Sequence, residues 1–233
     1  MCGRYTLVKS AEEVAQRFKL EEVDSRLSPT YNAAPSQLLP VITNHSPEGV
    51  SWFYWGLIPS WSKNKSVSQK LINARAETLN QKPSFKQALQ KRRCLIPADG
   101  FYEWKILGKK TKVPYRISLL NNELFAFAGL WEEYEDEQGD QIHTFTIITT
   151  DANSKISPIH DRMPIILSRD AEKQWLSNSA SPEDLMNLLQ PYKAEQLKTY
   201  TVSSQVNNPQ NNSASLIEPT PPSDQHGNYT LFG

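Results

Sequence analysis

Short runs rich in β-branched and aromatic residues recur along this chain, and they limit it to a β-rich architecture. They occupy residues 52–57, 94–97, 101–105, 115–119, 124–131, 144–150 and 165–167. Their composition and length suit strands better than helices. Helix starts are fewer. Ser10 with Glu13 makes a capping box, and Val14 and Phe18 share one face behind it. Ser84 with Gln87 repeats the pattern ahead of Leu89. Ser181-Pro182 opens a helix running through Leu185, Leu188 and Leu189, and Ser168 caps a short helix carrying Trp175. The acidic stretch 132–140, with Gly139, is expected as a hairpin loop. Strands outnumber helices and do not alternate regularly with them. That predicts an α+β fold of mixed or antiparallel sheets with peripheral helices.

A chain of 233 residues suits one such domain, and neither a repeat nor a Gly/Ser linker divides it. The domain is expected over residues 1–217. Residues 218–233 are expected as a flexible tail, because Pro219, Pro221 and Pro222 sit among polar neighbours. Basic and acidic residues both number 25. Bulk charge therefore cannot coat nucleic acid, and any such binding needs a local basic patch. Two cysteines point to a reducing compartment without a disulfide framework, although a Cys2–Cys94 bridge stays open. No apolar run approaches the ~20 residues that span a bilayer, and no secretory signal opens the chain. A cytoplasmic protein without a membrane partner is expected. The phosphate-binding patterns GxxxxGK[ST] and GxGxxG, the GxSxG elbow and zinc-ligand spacings are absent, so neither a nucleotide cofactor nor a metal is expected.

The chemistry begins at Cys2. Removal of Met1, usual before a small residue, leaves an α-amine and a thiol on adjacent carbons. An α-amine titrates near 7.7–8.0, far below lysine, so a useful fraction is unprotonated at neutral pH. Such an amine attacks an aldehyde to give a Schiff base. The neighbouring thiol then adds to the imine and closes a five-membered thiazolidine. Position alone leaves an ordinary small residue as the alternative.

Four further places can carry chemistry. Glu103, flanked by Tyr102 and Trp104, is a general acid/base if its strand is buried and a solvent-facing carboxylate if not. His160, between Ile159 and Asp161, suits proton transfer, or else bonds Asp161 structurally. Asn73 and Arg75 share one face if their segment is a strand, where they can hold a polar substrate and a phosphate; the alternative is a surface Arg75–Glu77 pair. Trp52 and Trp55 are expected partly in the core, with Trp61 the better candidate for stacking a nucleobase.

Seven motifs in order resemble one family. They are Met-Cys-Gly-Arg at 1–4, Tyr-Asn-Ala-Ala-Pro at 31–35, Trp-Gly-Leu-Ile-Pro-Ser-Trp at 55–61 and Ile-Asn-Ala-Arg-Ala-Glu-Thr at 72–78. Pro-Ala-Asp-Gly-Phe-Tyr-Glu-Trp-Lys at 97–105, Phe-Ala-Gly-Leu-Trp at 127–131 and Ile-His-Asp-Arg-Met-Pro at 159–164 follow. Their order and spacing resemble the SRAP family of SOS response-associated peptidases, or abasic-site processing proteins, across about residues 2–217. The resemblance implies a β-rich core with the N-terminal cysteine in a positively charged cleft. It implies covalent capture of abasic sites in single-stranded DNA, with Cys2 as nucleophile; a monomer is expected. Asn73 would orient the abasic sugar and the Cys2 amine, Glu103 would shuttle protons, and His160 would assist sugar-ring opening and reversal. Arg4, Arg75 and Arg162 would contact phosphates, with Asn32 and Trp61 lining the DNA path. One departure is that Ser62 follows Trp61 where some relatives carry a second tryptophan. Two rivals remain: a thiol peptidase or N-terminal-nucleophile amidase using Cys2, and a non-catalytic single-strand binder.

Overall fold

The computed structural model describes residues 2–108 and 111–230. In chain order the elements are β1 (Tyr5–Leu7), α1 (Ala11–Phe18), β2 (Thr30–Ala33), β3 (Leu38–Thr43), β4 (Ser46–Trp55), β5 (Asn73–Arg75), α2 (Pro83–Lys91), β6 (Arg93–Ala98), β7 (Gly100–Leu107) and β8 (Thr111–Leu119). Then come β9 (Phe125–Glu135), β10 (Gln141–Asp151), β11 (Arg162–Pro164), β12 (Ile166–Leu167), α3 (Arg169–Leu176), α4 (Pro182–Asn187) and β13 (Leu197–Thr201).

Strands β10, β4, β3, β6 and β9 pair in that order, and β9 pairs back to β10. The ring closes into a five-stranded barrel. Strand β10 runs parallel to β4 and β5, while the other pairings of this sheet are antiparallel. Side chains alternate across the wall as strand geometry requires. Cys94, Ile96, Phe127 and Ile147 belong to one cluster, which also holds Trp55, Trp131 and Phe145. Their neighbours Leu95, Ala126, Ala128 and Ile148 meet Phe85 and Leu89 of α2 and Trp175 of α3. The helices therefore cover one face of the wall. Gly129 sits where β9 lies between β6 and β10, and a Cβ there would stand 2.9 Å from both Cys94 Sγ and the Thr146 carbonyl.

A second sheet, β13-β8-β7-β1-β2, is antiparallel throughout. Tyr5 and Phe101 are cross-strand partners in it. Both belong to the cluster that includes Trp55 and Phe127, so the sheet closes over the barrel core. The architecture is the β-rich α+β fold expected, with mixed sheets and peripheral helices.

Ser10 caps α1 with a complete capping box, Ser168 caps α3, and Ser181 caps α4. The expectation for Ser84 is corrected. Helix α2 starts at Pro83, and Lys82 occupies the cap without a side-chain bond. Proline supplies the pre-set φ at the first helical position. Helix α4 ends at Asn187, short of Leu188 and Leu189. The acidic hairpin is also shorter than expected: β9 continues through Glu135 and β10 begins at Gln141. Residues 218–230 run back over the second sheet. Thr201 Oγ1 donates to the Thr220 carbonyl at 2.6 Å, the Thr220 amide donates to the Thr201 carbonyl at 3.0 Å, and the Lys112 amide donates to Gln225 Oε1 at 2.8 Å. Residues 231–233 of the expected tail lie outside the described residues.

Candidate active site

Cys2 leads directly into β1 and is fully buried; Cys94 is buried too, and both are free thiols. The Cys2 thiol lies 3.9 Å from the Arg4 carbonyl. Burial pushes this thiol far up, and the nearby Glu103 carboxylate pushes the same way. With the chain intact from Met1, the sulfur is therefore held as a thiol.

Strand β7 fixes Glu103 beside β1. A buried network supports this junction. Asp99 accepts the Thr6 hydroxyl at 2.6 Å, the Arg116 guanidinium at 2.9 Å and the Val8 amide. Arg116 crosses so close to Gly100 that a Cβ would meet its guanidinium at 2.6 Å. Glu103 is only 1% exposed, which excludes the solvent-facing alternative. Burial raises its carboxyl to about 7, and the Asp161 carboxylate adds to the rise. Such a group exchanges a proton near neutrality.

His160 Nε2 stands 4.0 Å from Glu103 Oε2. Its Nδ1 accepts the Arg162 amide at 2.9 Å. That bond assigns the proton of the neutral ring to Nε2, facing Glu103. Asp161 Oδ1 is also 2.9 Å from Nδ1, but its side chain is 87% exposed and water screens it. Burial is the largest influence on His160 and lowers its pKa, favouring the neutral ring.

Asn73 lies on β5, opposite Ile147 of β10. Both polar atoms of its amide are buried, and neither finds a partner among the described residues. Arg75, at the end of the same strand, is exposed. Trp61 is 63% exposed, whereas Trp55 is buried and Trp52 donates to Asp24 Oδ2 at 2.8 Å.

The remaining expected contacts are occupied within the protein. Arg4 donates to Asn32 Oδ1 at 2.9 Å and to the carbonyls of Val206 and Asn207 at 2.6 and 3.2 Å. The Asn32 amide donates to the carbonyls of Val206, Asn208 and Asn211 at 3.3, 3.0 and 3.0 Å. Together they strap residues 206–211 to the N-terminal strand. Arg162 holds Glu77 through both guanidinium nitrogens, at 2.8 and 3.0 Å, and Asp151 at 2.6 Å.

Glu103 and His160 share a cleft of about 640 Å³ with Trp104, Lys112, Asn207 and Gln225. Sequence reasoning did not single out Lys112, Asn207 or Gln225 as site residues. The asparagine-rich run at 207–212 was the only signal that could have drawn attention to the strap. Among the described residues no group of three or more His, Cys, Asp or Glu side chains is arranged to hold a metal ion.

The family model described as SOS response associated peptidase (SRAP) matches residues 1–209. Abasic site processing protein YoqW of Bacillus subtilis is 48% identical over 222 residues, covering 94% of this chain and 99% of that protein. Abasic site processing protein HMCES of Rattus norvegicus is 32% identical over 231 residues, covering 82% of this chain and 65% of that one. A crystal structure of a protein from Bacteroides thetaiotaomicron superposes with a TM-score of 0.86 at 30% identity, covering 94% of this chain and 100% of that one. With the motifs, the barrel and these relatives in agreement, the chain belongs to the SRAP family.

Proposed function

We propose that this chain captures abasic sites in single-stranded DNA as a covalent thiazolidine on Cys2 once Met1 is removed. The observation that carries the reading is buried Glu103 with half-buried His160 4.0 Å from it, the Glu103 carboxylate also acting electrostatically on the Cys2 thiol. The names of the relatives, abasic site processing proteins, support the substrate.

The chemistry balances as follows. An abasic sugar opens to an aldehyde. The neutral Cys2 amine adds to the carbonyl carbon and forms a carbinolamine. Protonation of the hydroxyl by Glu103 expels one water and leaves the imine. The thiol adds to the imine carbon, and its proton passes to the imine nitrogen. One water leaves overall. A carboxyl near 7 both donates and accepts at neutral pH. The neutral His160 donates from Nε2 during ring opening and helps return the proton in reversal. The Asn73 amide, buried without a partner, supplies the donor and acceptor that hold the sugar hydroxyl and the amine. Trp61 and Arg75 receive the strand outside. The reaction is a DNA–protein cross-linking step carried out by a monomer. Shielding of the lesion on DNA is its role in the DNA damage response, with the protein associated with the nucleoid while bound.

The thiol-peptidase reading is weaker here. A cysteine peptidase attacks with a thiolate, and in the chain intact from Met1 burial pushes this thiol far up. Capture by the amine first needs no thiolate. The test is incubation with single-stranded DNA carrying one abasic site. An adduct that survives denaturation and is lost in Cys2→Ala supports capture. No adduct from protein shown by mass to lack Met1 overturns it. Peptide cleavage lost in Cys2→Ala would favour the peptidase, and equal DNA binding by both forms without adduct would favour a plain binder.

A further inference from the structure

Asn207 lines the same cleft as Glu103 and His160. Its Oδ1 accepts the Trp104 indole N–H at 2.8 Å. Indole is a donor only, so this bond fixes which way the amide faces. The amide nitrogen is left over. It is buried and has no partner among the described residues. Two buried amides elsewhere are satisfied: the Asn32 nitrogen donates to three carbonyls, and Asn44 donates to the Lys91 carbonyl and to Asn178. A donor left over in a residue that lines the cleft calls for an acceptor brought by something else.

The rest of that wall says what the acceptor is. Asn207 shares the cleft with Glu103 and His160, so its ligand must be continuous with whatever reaches that pair. Exposed Lys112 stands in the same cleft, and Gln225 from the returning C-terminal segment fixes its backbone at 2.8 Å. An amide donor near an ammonium suits an anionic oxygen, and the anion present all along a DNA strand is the phosphodiester. The Asn207 backbone is itself pinned, since Arg4 grips its carbonyl at 3.2 Å.

We propose that Trp104, Lys112, Asn207 and Gln225 form a subsite for the nucleotide joined to the abasic sugar, with Asn207 Nδ2 donating to a phosphodiester oxygen and Lys112 balancing its charge. The subsite rests on the reading that the cleft takes single-stranded DNA with an abasic site. It does not depend on the covalent step.

The experiment measures equilibrium binding in a Cys2→Ala background, where no cross-link forms. Three oligonucleotides serve as probes: one with an internal abasic site, one ending at the site on its 5′ side and one ending there on its 3′ side. One of the truncated probes lacks the phosphodiester that Asn207 holds. Asn207→Leu is expected to weaken the internal probe about tenfold. It is expected to leave that truncated probe unchanged, because the partner is already gone. Asn207→Asp keeps the acceptor for Trp104 but sets a negative charge against the phosphate, so it is expected to weaken the internal probe further, with thermal unfolding near that of the parent. Equal weakening of all three probes by both variants would make Asn207 a strap residue only and overturn the subsite. Unchanged binding of the internal probe would overturn it as well. Adduct formation by the unaltered chain is read separately, so a failure of covalent capture is not confused with a failure of the subsite.

Discussion

Glu103 Oε2 and His160 Nε2 are 4.0 Å apart in one cleft, and burial favours the uncharged form of both. Under the proposed reading Glu103, raised to about 7, hands over protons near neutrality. Capture is expected to pass through a maximum between about pH 7 and 8. Its acid limb reflects the α-amine, which must be neutral to attack. Its alkaline limb reflects Glu103, which must carry a proton to expel water. In Glu103→Gln the rate is expected to fall about a hundredfold at pH 7, and the alkaline limb should vanish, with DNA affinity retained. Single-turnover rates across pH check this. An unchanged profile would remove Glu103 from proton transfer.

The same carboxyl affects stability with a definite sign. Its folded value of about 7 lies above the ordinary 4.5, so folding favours the protonated form. That contribution is complete below 4.5 and is lost as pH rises through about 7. The full rise is equivalent to roughly 3 kcal/mol. Glu103→Gln keeps a neutral side chain at every pH. Its stability relative to the parent is expected to climb between pH 4.5 and 7, measured by urea unfolding.

Helices α1 and α3 are tied by a nearly buried pair, with Arg17 meeting Glu172 through both nitrogens at 3.0 and 2.7 Å. Arg17→Ala leaves a carboxylate in apolar surroundings and is expected to cost about 3 kcal/mol. Replacing both partners with methionine should cost less than that single change. Thermal unfolding of the three variants decides it.

Gly129→Ala should act on the barrel wall. Its new Cβ would meet Cys94 Sγ and the backbone carbonyl of Thr146 at 2.9 Å. The carbonyl belongs to a paired strand and yields little. A loss of about 2 kcal/mol is expected, visible as a lower Tm without a change in the DNA-binding salt slope.

Outside the cleft, exposed Trp61 and Arg75 are expected to touch DNA without supporting the fold. Trp61→Ala should weaken single-strand binding by about 1–3 kcal/mol, the value of one stacked base. Arg75→Gln should reduce the salt slope by about one unit. Neither should move the Tm.

What the sequence made legible follows the range of the forces involved. The caps at Ser10, Ser168 and Ser181 are local devices, and each appears where expected. The strands β1, β3 and β13 exist through distant partners, and β3 even contains Pro40, which counts against a strand. Asn73 and Arg75 share a face only because β10 pairs with their segment. The order of the motifs singled out Cys2, Glu103 and His160, and the fold brings Glu103 and His160 into one cleft. Asn207 was not singled out, because the indole that fixes it is 103 residues away. Nor was the strap, which Arg4 holds across a separation of 202 residues.

In the proposed adduct the α-amine and the thiol of Cys2 both bond to the abasic carbon. The intact mass of the denatured adduct, taken before and after borohydride treatment, tests this most directly. The expected mass is that of the chain without Met1 plus the oligonucleotide minus one water, unchanged by borohydride because no imine remains. A gain of two hydrogens, or an adduct that still carries Met1, would contradict it.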